Sequence, residues 1–236
     1  MPNIELKHFA NASELASQCA DAFSSWATRS AAPISVAVSG GRIAKDFFAA
    51  VAQLARERGQ SLAHVHFFWA DERCVPPTDA ASNFRLASEL LFQPLSLPAA
   101  NLHRIRGEDD PDAAACAAET EVRRFVATNA AGQPVLDLVL LGMGEDGHIA
   151  SLFPGESEPR MASPAVYRAV TASKPPPRRI TLSYAVIAAA REVWVLASGA
   201  GKEAALRESL SPGGQTPLAR ILQARSQTRI LTDILA

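Results

Sequence analysis

The chain has 236 residues, with 23 basic and 24 acidic side chains, a formal net charge of -1, and a composition that is 48% hydrophobic and 6% aromatic. That length suits one large α/β domain or two small ones, and the balanced charge argues against a nucleic-acid protein, which carries a basic excess. No run approaches the ~18 apolar residues of a membrane span, and Met1 to Glu5 lack the basic and apolar regions of a signal peptide. The basic side is uneven: Lys7, Lys45, Lys174 and Lys202 are the four lysines, and the other 19 cations are arginines. Cys19, Cys74 and Cys116 are far apart, with no Cys-x-x-Cys or Cys/His cluster. Neither a disulfide framework nor a zinc site is expected, and a reducing cytoplasm fits.

In chain order, Ile34 to Val38 reads as a buried strand ending at Ser39-Gly40-Gly41, followed by a helix from about Ile43 to Arg58. His64 to Trp69 is a second strand, ending at Ala70-Asp71-Glu72-Arg73. Ser82 or Asn83 caps a helix through Leu91. Leu102 to Ile105 reads as a short strand, and Pro111 opens a helix to about Asn129. Leu136 to Leu141 is the clearest buried strand and runs into Gly142-Met143-Gly144-Glu145-Asp146-Gly147-His148. Val166 to Val170, Arg179 to Ser183 and Glu192 to Ala197 are further strands, the last ending in Ser198-Gly199-Ala200-Gly201-Lys202. Arg229 to Leu231 is a weak closing strand. Strand, Gly-rich turn and helix in repetition predict an α/β fold with a mostly parallel central sheet and helices on both faces. Ligands of such sheets bind beyond the carboxyl ends of the strands. The segments at Ser39–Gly41, Asp71–Arg73, Gly142–His148 and Gly199–Lys202 are therefore expected to converge on one crevice.

Each segment carries a chemical reading. The Ser39-Gly40-Gly41 turn at a helix start suits an anion, because free N–H groups and the positive dipole end meet there. Ala37 stands where a G-x-S-x-G nucleophile elbow needs glycine. Gly142-x-Gly144-x-x-Gly147 matches the dinucleotide fingerprint in letters only, since Pro154-Gly155 cuts off the helix it requires. What remains is a glycine-supported loop holding Asp146 and His148, an arrangement suited to a general base. Gly199-Ala200-Gly201-Lys202 fails as a Walker loop, but Lys202 can still meet a phosphate as a point charge. Arg73 can grip phosphate oxygens with two parallel hydrogen bonds. His8, His64, His66 and His103 read as structural, and Trp26, Trp69 and Trp194 as core.

Taken together, these segments resemble the 6-phosphogluconolactonase family. The residues that carry the resemblance are Ser39-Gly40-Gly41; Trp69 to Pro76 with Ser82-Asn83-Phe84; Leu141 to Gly155, reading LGMGEDGHIASLFPG; Lys174 to Leu182; and Gly199 to Lys202. The related glucosamine-6-phosphate deaminases share the Asp-Gly-His core but continue with a glutamate that Ala150-Ser151-Leu152-Phe153-Pro154-Gly155 lacks. The resemblance implies a single domain over residues 1–236 with the three-layer α/β/α fold of those deaminases. It implies a cytoplasmic enzyme of the oxidative pentose phosphate pathway, needing no metal or cofactor, that hydrolyses 6-phospho-D-glucono-1,5-lactone to 6-phosphogluconate. Its partner would be that sugar-phosphate lactone, with no nucleic acid or membrane, and the protein would be a monomer or weak homodimer. His148 and Asp146 are the implied catalytic residues. Ser39, Gly40, Gly41, Arg42, Asp71, Arg73, Asn83, Gly144, Arg179 and Lys202 are the implied substrate and phosphate contacts. The chain departs from the family at Arg42-Ile43-Ala44, where a small hydroxyl residue usually follows Ser-Gly-Gly. Arg42 either binds the phosphate itself or points away and leaves the backbone to do so. The competing readings are a deaminase or isomerase on the same fold, a non-catalytic sugar-phosphate sensor, and a structural protein whose glycines are mere turns.

Overall fold

Short β-branched and apolar runs alternate with helices along the whole chain. The computed structural model describes residues 3–235; Met1 and Pro2, part of the signal-peptide reading, lie outside the described residues. Strand β1 (Asn3–His8) leads into α1 (Ala12–Ala27), β2 (Ile34–Val38), α2 (Arg42–Glu57), β3 (Val65–Trp69), β4 (Asp71–Arg73) and α3 (Asn83–Ala87). There follow α4 (Pro111–Phe125), β5 (Leu138–Gly142), α5 (Glu158–Met161), β6 (Tyr167–Thr171), β7 (Arg178–Leu182) and α6 (Tyr184–Ala189). The chain closes with β8 (Glu192–Ala197), α7 (Glu203–Leu210), α8 (Pro217–Ala224) and β9 (Gln227–Thr232).

Six strands make one wholly parallel sheet in the order β1-β9-β8-β5-β2-β3. With its flanking helices it forms the expected three-layer α/β/α arrangement. β2, β5 and β8 are apolar almost throughout because both faces are covered. One continuous core runs from Leu15 to Ile234, with Trp69 and Trp194 fully buried in it. The strand order reverses at β2: the chain steps to β3 on one side, then returns to set β5, β8 and β9 on the other. Loops leaving the carboxyl ends at such a switch point diverge and open a crevice. The turns after β2, β5 and β8 share that end of the sheet.

A second, three-stranded antiparallel sheet, β4-β7-β6, walls the crevice. Ala70 is the hinge between the two sheets: its N–H donates to Val38 O at 2.8 Å, and its carbonyl accepts from Leu182 N at 2.7 Å. The strands expected near Val166 and Arg179 therefore belong to this small sheet, and its register sets Arg73 opposite Arg179 and Asp71 opposite Thr181.

Several expectations are corrected. Leu102–Ile105 is not a strand: a 3-10 turn (Ala99–Asn101) is followed by one bridge to Phe67 and a single bond, His103 N to Phe67 O, before the chain leaves the edge. α4 stops at Phe125 rather than Asn129, because the Asn129 side chain accepts from Ala131 N and Gln133 N and turns the backbone. The helix from Asn83 passes into a π turn over Ser88–Phe92, which lets consecutive Leu91 and Phe92 both face the core. β9 is an interior strand, with β1 at the sheet edge beside it. His66 and His103, read as structural, bond each other: His103 Nε2 meets His66 Nδ1 and His103 Nδ1 meets Glu121, each at 2.9 Å.

Candidate active site

The four predicted segments meet around one cavity of about 210 Å³ at the carboxyl ends of the central strands. Ser39, Gly40, Gly41, Arg42, Asp71, Arg73, Gly144, His148, Arg179 and Lys202 all line it. Asn83 and Asp146 do not. Asn83 is buried behind the lining, against Gly40 and Asp71, whereas Asp146 is exposed to solvent beside His148, which it bonds. A larger groove of about 860 Å³ runs along α1 and α2, but its lining holds no histidine, cysteine or lysine, and its arginine, Arg58, is paired with Asp21.

The turn after β2 is built for close approach. Gly41 has φ 106°, a left-handed conformation that suits glycine, and it caps α2 without any side-chain bond. The first amides of this sixteen-residue helix thus point out of its N-terminus. Ser39 is 7% exposed, and its Oγ has no hydrogen-bond partner. Arg42 follows and lines the cavity. Its Nη1 lies 3.7 Å from where a Cβ on Gly199 would stand. Burial first, and then the Arg42 charge, push the Lys202 ammonium below the usual lysine range.

The loop after β5 folds back on itself, with Gly144 N donating to His148 O at 2.8 Å and Met143 bridging Ile149. His148 Nδ1 lies 2.5 Å from Asp146 Oδ1, which also accepts the His148 backbone N–H at 3.2 Å. Partial burial pushes the Asp146 carboxyl up, but the hydrogen bonds and charge of His148 outweigh it and hold the group below the ordinary carboxylate range. An ionised Asp146 accepts from Nδ1–H, so the lone pair is on Nε2. Gly144 is required by this packing: a Cβ there would fall 2.1 Å from both Cε1 and Nδ1 of His148.

The wall formed by β4 and β7 is rigid. Asp71 is buried and accepts from Ser151 Oγ at 2.8 Å, while the Asn83 amide donates to the Asp71 backbone carbonyl at 2.9 Å. Glu72 accepts from Arg73 N, Asn83 N, Phe84 N and Ser82 Oγ at 2.7 to 3.1 Å. Burial pushes its carboxyl up, and the three backbone N–H groups oppose this. Arg73 donates from Nη1 to Ala81 O, leaving a buried, unpartnered Nε. Arg179 donates to the carbonyls of Pro176 and Lys174 and lies over the Phe153 ring. Burial, then the Arg73 charge, lower its pKa.

Three further contributors had no role assigned from sequence: Ser151 and Glu72, which stand inside the motif blocks, and Asp233, which stands outside them. Asp233 holds Ser198 Oγ at 2.8 Å and Gly199 N at 3.1 Å and so fixes the turn that presents Lys202. Among the described residues there is no group of three or more His, Cys, Asp or Glu placed to hold a metal, and no helix is long and apolar enough to cross a membrane.

Residues 10–230 match the family described as glucosamine-6-phosphate isomerases/6-phosphogluconolactonase. The chain belongs to this family. A relative named 6-phosphogluconolactonase, from Treponema pallidum, is 37% identical over 186 residues, covering 78% of this chain and 75% of its own. The solved 6-phosphogluconolactonase of Trypanosoma brucei superposes with a TM-score of 0.83 at 29% identity, over 98% of this chain and 96% of the other. A monomeric glucosamine-6-phosphate deaminase superposes with a TM-score of 0.82 at 20% identity, over 97% of this chain and 96% of that one, and shares the fold. In this glucosamine-6-phosphate isomerase/6-phosphogluconolactonase family member, the block from Leu141 to Gly155 that carried the sequence resemblance forms the dyad loop and one wall of the cavity.

Proposed function

We infer that this chain hydrolyses 6-phospho-D-glucono-1,5-lactone to 6-phosphogluconate, as a single domain acting in the cytoplasm as a monomer or weak homodimer. The observation that carries the reading is the Asp146–His148 pair opening on a cavity lined by four cations. A δ-lactone is an activated ester, so a positioned water and a base suffice for its opening. His148 Nε2 takes a proton from water as the water oxygen bonds to C1, and the carbonyl π pair moves onto its oxygen. The tetrahedral intermediate collapses, the bond from C1 to the ring oxygen breaks, and His148 returns the proton to that oxygen. The new carboxylic acid then releases its own proton to solvent.

Asp146 orients the imidazole and offsets its charge while the proton is held. Help of this kind is worth roughly 10²–10⁴ in rate. The phosphate is placed on the Ser39-Gly40-Gly41 turn, the α2 N-terminus, Lys202 and Arg42, because amides, an unpartnered hydroxyl and two cations meet there. That remote grip fixes C1 against His148 and contributes to turnover. The test generates the lactone with glucose-6-phosphate dehydrogenase and follows its loss against spontaneous hydrolysis. Acceleration by the purified protein without added metal is expected, and a rate equal to the background refutes the reading.

A further inference from the structure

The four cavity cations fall into two pairs. Arg42 and Lys202 act on each other beside the Ser39 turn, with Glu145 and Asp233 as the acidic groups that Lys202 feels. Arg179 feels Arg73 and Asp71 instead, and the β4–β7 register sets the two arginines opposite one another. The second pair is also joined to the base: Phe153 lies between them, its ring 4.8 Å from the His148 ring and 5.6 Å from the Arg179 guanidinium carbon. Backbone carbonyls of Ala81, Pro176 and Lys174 hold the two guanidiniums still without neutralising them. The buried Arg73 Nε has no partner. This end also holds Asp71, the single carboxylate in the cavity lining, which makes it the poorer place for a phosphate dianion.

We propose that Arg73 and Arg179 form a second anion pole that holds the reacting carbonyl oxygen rather than the phosphate. The proposal rests on the lactonase reading above. As water bonds to C1, the carbonyl pair moves onto an oxygen facing fixed donors that need no reorganisation, which is where such donors act most strongly. When the ring bond breaks, the same oxygen becomes part of the C1 carboxylate. The product then spans the cavity, its phosphate on the Lys202 pair and its carboxylate on the Arg179 pair.

Binding of three ligands separates the poles: 6-phosphogluconate, glucitol 6-phosphate, which keeps the phosphate but lacks the carboxylate, and inorganic phosphate. Arg179→Gln is expected to weaken 6-phosphogluconate by about tenfold or more and to lower kcat, as loss of a charge-assisted hydrogen bond does. Glucitol 6-phosphate and inorganic phosphate should change by less than about threefold. Arg179→Lys should recover part of the loss, and Lys202→Gln should weaken all three ligands. If Arg179→Gln weakens inorganic phosphate as much as 6-phosphogluconate, or leaves 6-phosphogluconate binding intact in a protein with a normal melting midpoint, the two-pole assignment is wrong. Failure of the wild type to accelerate lactone loss overturns the parent reading instead, and the three-ligand pattern still reads the poles.

Discussion

Gly144→Ala disables the dyad without altering either of its members. A methyl group at Gly144 would lie 2.1 Å from His148 Cε1 and Nδ1 and 2.9 Å from Asp146 Oδ1, whereas ordinary contact begins at 3.4 Å. The imidazole must therefore retreat by about 1 Å or more, a misplacement that can cost about 10² in rate. Gly144 is not among the positive-φ glycines, so the backbone accepts alanine, and the side chain that has to yield is the flexible one. The expected result is a fall in kcat of about 10²–10³, bounded by what general acid–base help supplies. KM should stay within about threefold, because the phosphate contacts are untouched. The coupled lactone assay reads both constants. Gly213→Ala serves as control, since nothing lies within 4 Å of its Cβ position. If Gly144→Ala keeps more than about half of the wild-type kcat, the short His148–Asp146 contact is not what turnover depends on.

His148→Ala should lower kcat by about 10²–10⁴ while 6-phosphogluconate still binds, and near-normal turnover would remove His148 from the mechanism. Because burial and the Arg42 charge lower the Lys202 pKa, its ammonium is lost as pH rises through a value below the ordinary lysine range. Inhibition by 6-phosphogluconate should weaken on that alkaline limb. Arg42→Ser removes the repelling charge, so its limb should lie at higher pH even though its affinity near neutrality is lower; coincident limbs would show that Arg42 does not act on Lys202. Glu72→Gln puts an amide NH₂ where an oxygen accepts from N–H and O–H groups. It should destabilise by about 1–3 kcal/mol, lowering the melting midpoint by about 2–4 °C for each kcal/mol, and an unchanged midpoint would count against the hub role of Glu72.

The parallel sheet was legible because β2, β5 and β8 are buried on both faces and read as nearly continuous apolar runs, each followed by a glycine-containing turn. The convergence of the Ser39, Asp71, Gly142 and Lys202 segments followed from one rule about strand ends. The small sheet was not legible. β4 has three residues, too few for any periodicity, and its partner β7 lies more than 100 residues away in sequence. The Ser151–Asp71 and Asp233–Gly199 bonds span 80 and 34 residues and have no local signature. Asn83 illustrates the limit of a motif. It stands in a block that marks substrate contact, yet it is 2% exposed and donates to Asp71, so its place is one step behind the cavity surface.

Charge placement explains how a chain of net charge -1 can hold a dianion. Many of its arginines are spent on ion pairs: Arg58 with Asp21, Arg85 with Glu89, Arg104 with Glu108, Arg123 with Glu119, Arg168 with Glu156 and Arg229 with Glu5. Arg225 is buried, but carbonyls of Ile187, Ala188, Ala190, Arg191 and Gln227 occupy its donors. Arg73, Arg179 and Lys202 are not ion-paired either, and unlike Arg225 all three line the cavity. They are at least half-hidden from solvent, yet no carboxylate lies within ion-pair distance of them among the described residues. Desolvated charge left unpaired is costly unless a ligand neutralises it. Burial lowers the pKa of Arg179 and Lys202, as it does that of Arg225, and for the two cavity cations a neighbouring cation adds to the effect. A phosphorylated lactone relieves the cost with its phosphate at one pole and, as the oxyanion forms, with its carbonyl oxygen at the other. The second relief is weak in the bound lactone and grows as the oxyanion forms, persisting in the product carboxylate; a contact stronger in the transition state than in the bound substrate raises kcat rather than merely lowering KM.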